Sequence, residues 1–92
     1  MAVLFGHLHG NEVVAPGELL AAARRWADQI CECSPVSVRT SKRVALEGLA
    51  HASLEEAMSA RYDAIADLVK SADFVEGPRA FAEKRKPRWS GK

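Results

Sequence analysis

Four prolines divide this chain into short segments, and they restrict it to short helices and loops. Proline fixes the torsion φ and has no N–H to donate, so a helix tolerates it in the first turn and seldom further in. Pro16, Pro35 and Pro78 stand where helices are predicted to begin, and Pro87 stands where the last one ends. The spacing therefore predicts three or four short helices.

The first helix is predicted to begin near Glu18 and to end at Ser34, because a residue before proline is pushed out of the helical region. Ser34 then caps the second helix, and Pro35 fits its first turn. Each helix carries one narrow apolar face at helical spacing. The first face comprises Leu19, Ala23, Trp26, Ala27 and Ile30, and the second comprises Val38, Ser41, Ala45 and Leu49.

Two capping patterns place the remaining helices. Ser53 and Glu56 form a capping box, which predicts a third helix that continues to about Lys70. Asp73 and Glu76 form a similar pair, which predicts a last helix over about residues 76–85. Gly77 and Pro78 then fall in the first turn of that helix, and Trp89 lies on a tail beyond it.

Residues 1–16 differ from the rest of the chain because they are rich in turn-forming residues. This segment is predicted to be irregular, with a short strand at residues 12–14 as the one candidate, and residues 17–92 are predicted to be helical. The expected fold class is mainly α, with at most one short N-terminal strand. The apolar faces are narrow and rich in alanine, so we expect them to pack partly against another part of a larger domain or a neighbouring subunit.

The composition indicates an ordinary globular chain, with 48% hydrophobic and 27% charged residues. Two cysteines are too few for a disulfide scaffold, and no apolar run approaches the roughly 18 residues that span a bilayer. We expect a soluble cytoplasmic protein with no membrane partner.

Positive charge is concentrated at the C-terminal end. Residues 79–92 contain six Lys or Arg and one Glu, a net charge of +5, whereas the rest of the chain carries −4. This pattern favours either an anionic partner or a solvated basic tail. The sequence does not favour a nucleic acid, because the basic run at residues 84–89 contains one aromatic residue, Trp89.

Two histidines and two cysteines form a candidate zinc set, namely His7, His9, Cys31 and Cys33. Zinc sites usually separate cysteine ligands by two to four residues, and one residue separates these two. We therefore expect no metal site, but loop histidines and cysteines near a helix end. His51 is expected to be a turn histidine, because the sequence shows no nucleophile or orienting carboxylate beside it.

No catalytic residue is predicted. Glu55 and Glu56 could be paired carboxylates for acid–base chemistry, but the N-terminus of the third helix explains both of them. No glycine-rich loop for phosphate binding is present.

The order of several short motifs resembles the C-terminal part of the enoyl-CoA hydratase/isomerase (crotonase) family. The similarity begins at Asn11 and Glu12 and continues through Ser53, Leu54, Glu55 and Glu56. Its most specific stretch consists of Asp73, Phe74, Glu76, Gly77, Ala80, Phe81, Glu83, Lys84, Arg85, Pro87 and Trp89. The resemblance implies the helices that family members use for contacts between subunits. It also implies that the oxyanion hole and the catalytic glutamates belong to an N-terminal part outside these residues.

The resemblance also implies a binding role. In the family, a lysine of the final helix lies near the adenine and phosphates of coenzyme A, and Lys84 occupies that position. Ile65 replaces an aromatic residue of the preceding helix, and Val69 replaces a phenylalanine. Lys84 and Ile65 are thus the expected coenzyme-A-binding residues, with a coenzyme A thioester as the ligand and no covalently bound cofactor.

The expected function is that of a C-terminal fragment of an enoyl-CoA hydratase/isomerase-like protein of fatty acid metabolism. It would contribute oligomer contacts and part of a coenzyme A site. Its partner would be further copies of itself or the N-terminal part of the same fold. The alternative is a stand-alone helical module that binds other proteins without catalysis. Whether the chain is an enzyme stays open, because the resemblance places the catalytic elements elsewhere.

Overall fold

The computed structural model describes residues 12–92. Five helices follow one another in this part of the chain: α1 (Leu19–Cys31), α2 (Pro35–Gly48), α3 (Leu54–Ser59), α4 (Asp63–Lys70) and α5 (Ala72–Ala82). The prediction of a mainly α chain is confirmed. Residues 12–15 have no regular secondary structure, so the strand considered at residues 12–14 is not formed.

The described chain divides into two units, with the boundary between residues 30 and 31. In the described part of the first unit, a turn at Pro16 leads into α1, and the N–H of Glu18 donates to the carbonyl of Ala15 (3.0 Å). Ala22 is the buried residue of α1, whereas the predicted apolar face is exposed, as Leu19 and Ile30 illustrate. The compositional boundary between residues 16 and 17 stays a prediction.

In the second unit, α2 begins as predicted, because the Ser34 hydroxyl accepts from the N–H of Ser37 (3.3 Å) and Pro35 occupies the first turn. The face that packs inward is not the predicted one. Ala45 and Leu49 are exposed, and Thr40 is buried, with its hydroxyl donating to the carbonyl of Ala64 in α4 (3.3 Å). Helix α2 packs against α4 through the side that carries Thr40.

The predicted third helix is two helices, α3 and α4, separated at residues 60–62. The Ser53 cap at its start is observed, since the Ser53 hydroxyl accepts from the N–H of Glu56 (3.1 Å), while the Glu56 carboxylate reaches back to the N–H of Ala52 rather than to that of Ser53. The break has a tertiary cause. Tyr62 adopts an extended backbone conformation, and its hydroxyl donates back to the carbonyl of Ala57 (2.6 Å), where a continuous helix would use a backbone N–H. No glycine or proline marks this position, so the sequence carries no sign of the break.

Helix α5 begins four residues earlier than predicted. Its cap is Ser71, whose hydroxyl accepts from the N–H of Phe74 (3.2 Å), and Asp73 does not take the capping role. The prediction that Pro78 lies in the first turn is wrong, because Pro78 lies inside α5. Proline in a helix interior costs about 3 kcal/mol, so other contacts of α5 must offset that cost.

The buried apolar residues of the described chain are all alanines: Ala22, Ala64 and Ala80. Large apolar side chains are instead exposed, including Leu49 at 81% and Phe81 at 87%. Small residues let α2, α4 and α5 approach closely, but they bury little apolar area. The expectation that these helices present apolar faces to something outside the chain thus agrees with the observed exposure.

Candidate functional site

The most basic part of the chain follows directly after α5, and a left-handed residue shapes it. Lys84 has φ of +52°, the one positive φ of a non-glycine residue among residues 12–92. The N–H of Arg85 donates to the carbonyl of Ala80 (3.0 Å), and the N–H of Lys84 donates to that of Phe81 (3.1 Å). This pair of bonds is the Schellman motif, which usually has glycine where Lys84 stands.

An ion pair holds the chain on the far side of this turn. The Arg85 guanidinium donates twice to the Glu76 carboxylate, from Nη1 to Oε1 (2.6 Å) and from Nη2 to Oε2 (3.1 Å). The Arg85 Nε donates to Glu83, and the backbone N–H of Arg88 donates to Glu76 Oε1 (2.7 Å). Only 16% of the Glu76 side chain and 30% of the Arg85 side chain are exposed.

These contacts shift the acid–base properties of both partners. The hydrogen bond from Arg85, followed by the one from the N–H of Arg88, lowers the pKa of Glu76 to about 2 against the opposing effect of desolvation. The hydrogen bond to Glu76 raises the pKa of Arg85 above its ordinary value. The pair therefore remains ionised across the physiological pH range.

A second acid, Asp73, holds the end of the chain. We call residues 86–92 the C-terminal strap. Asp73 Oδ1 accepts from the backbone N–H of Ser90 (2.7 Å) and from its hydroxyl (3.0 Å), and Oδ2 accepts from the N–H of Gly91 (3.1 Å) and the hydroxyl of Ser34 (2.8 Å). Gly91 has φ of +74°, which glycine adopts without strain. Asp73 thus joins the N-terminal end of α2 to the strap.

Asp73 is 2% exposed, and this burial is the largest influence on its pKa. Desolvation raises the pKa, but the hydrogen bonds from Ser34, Ser90 and Gly91 together outweigh it and lower the pKa below its ordinary value. The sequence prediction that Asp73 caps a helix is therefore replaced by a role as a buried, ionised acceptor.

The sequence predicts that Trp89 lies on a tail, but in the structure Trp89 contacts the rest of the second unit. Its indole N–H donates to the carbonyl of Glu32 (2.9 Å), and its ring lies 3.4 Å from the position that a Cβ on Gly77 would occupy. The strap is also bound at its end, since the N–H of Ala72 donates to the carbonyl of Lys92 (2.8 Å). The strap is accordingly bound to the N-terminal half of α5.

Three exposed cations lie in the turn after α5 and in the first part of the strap. Glu76 and Glu83 bind Arg85, and Glu83 also pairs with Arg79, so the acidic side chains of this segment are occupied. In the part of the chain that the structure describes, no ion pair involves the side chains of the exposed cations Lys84, Lys86 and Arg88. Each of these side chains is available to an anion.

The two expected coenzyme-A-binding residues lie on different elements. Lys84 is exposed directly after α5, and Ile65, 44% exposed, lies in the first turn of α4. Val69 follows Ile65 one turn later and is also exposed. Helices α4 and α5 pack against each other, with Ile65 in the first of them and Lys84 in the turn that follows the second.

The other candidate groups have simpler surroundings. Cys31 ends α1 and Cys33 follows it, both exposed, while His7 and His9 lie outside the described residues. Across residues 12–92, no group of three or more potential metal ligands is found. His51 contacts the Tyr62 ring edge to face, with 6.1 Å between ring centres. Glu56 accepts from the N–H of Ala52 (3.1 Å), which is a capping contact.

An apolar cleft lies between α2 and α3. Its walls include Val44, Leu49, Leu54, Met58 and Tyr62, and its volume is about 460 Å³. Three of these side chains, Leu49, Leu54 and Met58, are more than three-quarters exposed. None of the helices found in residues 12–92 has the length and apolar character to cross a bilayer.

Comparison with known proteins identifies the class of this chain. Residues 10–92 match the model of the enoyl-CoA hydratase/isomerase family. The mevalonyl-coenzyme A hydratase of Aspergillus fumigatus is 46% identical over 80 residues, and the carnitinyl-CoA dehydratase of Proteus mirabilis is 36% identical over 86 residues. The chain belongs to the enoyl-CoA hydratase/isomerase family.

Solved structures agree with this assignment. An enoyl-CoA hydratase/isomerase from Mycobacterium paratuberculosis superposes on 99% of this chain with a TM-score of 0.86 and 33% identity. The chain covers 36% of that structure, 33% of the Proteus mirabilis relative and 30% of the Aspergillus fumigatus relative. It therefore spans about a third of the length of the relatives it matches.

Two residues that organise this region were not identified from the sequence as a pair. Glu76 and Arg85 are nine residues apart, with a proline between them, so no local spacing rule links them. Asp73 and Ser34 are 39 residues apart. The one available signal was the family-like stretch that contains Asp73, Glu76 and Arg85.

Proposed function

We propose that this chain supplies the C-terminal helical region of a protein that acts on coenzyme A thioesters. Family membership supports the substrate class, and the relatives named above are a mevalonyl-coenzyme A hydratase and a carnitinyl-CoA dehydratase. The reaction would add water to, or remove it from, an acyl-coenzyme A, or isomerise it. Stabilising the thioester enolate would require paired backbone donors from another part of the fold.

We propose that Lys84 binds a phosphate of coenzyme A and that Ile65 contacts the adenine. The observation that carries the first assignment is that Lys84 is exposed, makes no ion pair within residues 12–92 and stands in a turn with defined geometry. An ammonium without an internal carboxylate partner is free to bind phosphate. Ile65 offers an exposed apolar surface on the neighbouring helix, although it cannot stack as an aromatic ring would.

A coenzyme A titration of the protein tests the role of Lys84. The change Lys84→Ala is expected to weaken coenzyme A binding about tenfold, because one charge-assisted hydrogen bond to phosphate is lost. Lys42→Ala removes an exposed lysine of α2 and serves as the matched control, with affinity expected to remain unchanged. Equal affinities of the wild type and Lys84→Ala would contradict the assignment.

We propose that the exposed apolar faces bind further copies of this chain or the remaining part of the same fold. The cleft lined by Leu49, Leu54 and Met58 is the candidate surface, because these three large apolar side chains are exposed together. Sedimentation velocity of the purified chain is expected to show association that Leu54→Glu reduces, with Glu55→Gln, in the same helix turn, as the control. A monomer at every concentration would refute the self-association.

The alternative, a stand-alone interaction module without a catalytic relative, is less favoured. The family match extends over residues 10–92 rather than over a short motif, so the whole segment follows the family pattern. A cytoplasmic location and a role in fatty acid metabolism remain predictions.

A further inference from the structure

We propose that Glu76 and Arg85 are positioning residues for Lys84: their ion pair holds the left-handed turn that directs the lysine ammonium at its anion. This inference rests on the proposed coenzyme A role of Lys84. It adds a function to two residues that would otherwise be regarded as a surface ion pair.

The first argument is backbone strain. A non-glycine residue at φ +52° is in a sterically unfavourable conformation, so the turn forms only if its surroundings hold it. The Schellman hydrogen bonds fix the near side, through Ala80 and Phe81. Beyond the turn, Arg85 is anchored by two bonds to Glu76 and one to Glu83, and Arg88 by its N–H to Glu76. Lys84 is thus fixed on both sides.

The second argument is geometry. Glu76 lies inside α5, ahead of the turn at Lys84, so its carboxylate is attached to a rigid element. Arg85 binds it with two parallel N–H donors, an arrangement that a lysine cannot reproduce. The low exposure of the Glu76 side chain limits competition from water. The ion pair can therefore fix the orientation of the turn residue, Lys84, relative to α5.

The third argument concerns the ligand. A lysine side chain on a mobile turn loses rotational freedom when it binds phosphate, whereas one on a fixed turn loses less. Arg85 also pairs with Glu76 and Glu83, the acidic side chains that would otherwise attract the Lys84 ammonium. Glu76 and Arg85 thus serve Lys84 in two ways, by fixing its backbone and by leaving its charge available.

Amide hydrogen exchange tests the first part without any ligand. The change Glu76→Gln keeps the side-chain volume and weakens the pairing with Arg85, so exchange at the amides of Lys84 and Arg85 is expected to accelerate about tenfold. Glu47→Gln removes the exposed ion pair with Arg43 in α2 and is the matched control. Unchanged exchange at Lys84 and Arg85 in Glu76→Gln overturns the inference.

A double-mutant cycle with coenzyme A tests the second part. Glu76→Gln and Arg85→Lys are each expected to weaken binding about three- to tenfold in the wild-type background. Neither is expected to weaken it further in the Lys84→Ala background, because both act through that lysine. A purely structural role would give the same loss in both backgrounds, and that result overturns the inference.

The outcomes separate the two proposals. If Lys84→Ala weakens binding but Glu76→Gln does not, the proposed function stands and the positioning role is wrong. If Lys84→Ala leaves affinity unchanged, the proposed function of Lys84 is wrong, and the positioning role fails with it even where exchange is accelerated. Support requires faster exchange together with coupling of Glu76 to Lys84.

Discussion

A single backbone torsion distinguishes Lys84 from every other non-glycine residue described between residues 12 and 92. Its position in the Schellman motif is one that glycine fills at no steric cost. A lysine here gives up some folding stability, which is understandable if the side chain serves binding. On our proposal, residue 84 is a balance between the backbone conformation, which favours glycine, and the positive charge that lysine supplies.

This balance predicts that Lys84→Gly stabilises the fold. Relief of the left-handed strain is expected to raise the free energy of unfolding by about 0.5–1 kcal/mol, after allowing for the greater flexibility of glycine in the unfolded chain. Thermal denaturation followed by circular dichroism measures the change. Lys86→Gly, at a residue without positive φ, should be neutral or destabilising, and a lower Tm for Lys84→Gly would show that the turn is not strained.

At the scale of elements, the boundary between α3 and α4 depends on one side chain. The Tyr62 hydroxyl donates to the Ala57 carbonyl (2.6 Å), and its oxygen lies 3.6 Å from the position that a Cβ on Gly48 would occupy. Tyr62 therefore connects α2, α3 and α4. A helix break arises here from a tertiary contact rather than from a local breaker.

Removing that hydroxyl should destabilise the second unit. Tyr62→Phe is expected to lower the free energy of unfolding by about 1 kcal/mol, because the Ala57 carbonyl loses its partner in a partly buried place. Urea titration gives the value. Ser59→Ala is the comparison, since its hydroxyl donates to the Glu55 carbonyl (2.8 Å) at an exposed position, and it should change stability by less than about 0.5 kcal/mol. Equal losses of stability in Tyr62→Phe and Ser59→Ala would contradict the role given to the Tyr62 hydroxyl.

Some elements follow from local rules and others do not. Ser34 and Pro35 begin α2, and Ser53 begins α3, because capping acts between residues close in sequence. The start of α5 could not be predicted, since Asp73 and Ser71 are both good caps. The Asp73 carboxylate accepts hydrogen bonds from Ser34, Ser90 and Gly91 instead, and no local sequence pattern predicts these contacts.

At the scale of the whole described molecule, the second unit is closed by polar contacts rather than by a large apolar core. Its buried apolar residues are Ala64 and Ala80, and Asp73 is buried among hydrogen-bond donors. The C-terminal strap connects α2 to α5 through this carboxylate. Stability should therefore depend strongly on the strap and on the ionisation of the two α5 acids that bind it, Asp73 and Glu76.

The strap's main apolar contact is Trp89. Trp89→Ala removes the ring that packs on Gly77 and the hydrogen bond to the Glu32 carbonyl, and it is expected to destabilise the unit by about 2 kcal/mol. Trp89→Phe keeps the ring contact and should recover part of the loss. Chemical denaturation compares the three proteins, and an unchanged midpoint for Trp89→Ala would mean that the strap contributes little.

Acid should destabilise the second unit. The folded-state pKa of Glu76 is about 2, and that of Asp73 is also below its ordinary value, so the unfolded chain binds more protons in mildly acidic solution. Their contribution is fully present above the ordinary carboxyl pKa and is lost as pH falls towards about 2. Denaturant midpoints between pH 6 and pH 2.5 should fall, with uptake of up to about two protons on unfolding.

Glu76→Gln tests the origin of that pH dependence. The variant should be less stable at pH 6 and should show a shallower decline with acid, because one of the two shifted carboxyls is gone. Glu55→Gln, at an exposed position in α3, provides the comparison. A slope identical to that of the wild type would assign the acid sensitivity to other groups.

The sequence by itself determined the mainly helical class, the caps at Ser34 and Ser53, the basic C-terminal end and the family, because each depends on residues near one another or on a linear pattern. Tertiary structure alone decided which face of α2 is buried, where the third predicted helix breaks, and that the strap folds back on Asp73, Glu76 and Gly77. These outcomes depend on hydrogen bonds and packing between distant residues, whose energies can exceed the small local preferences that a sequence records.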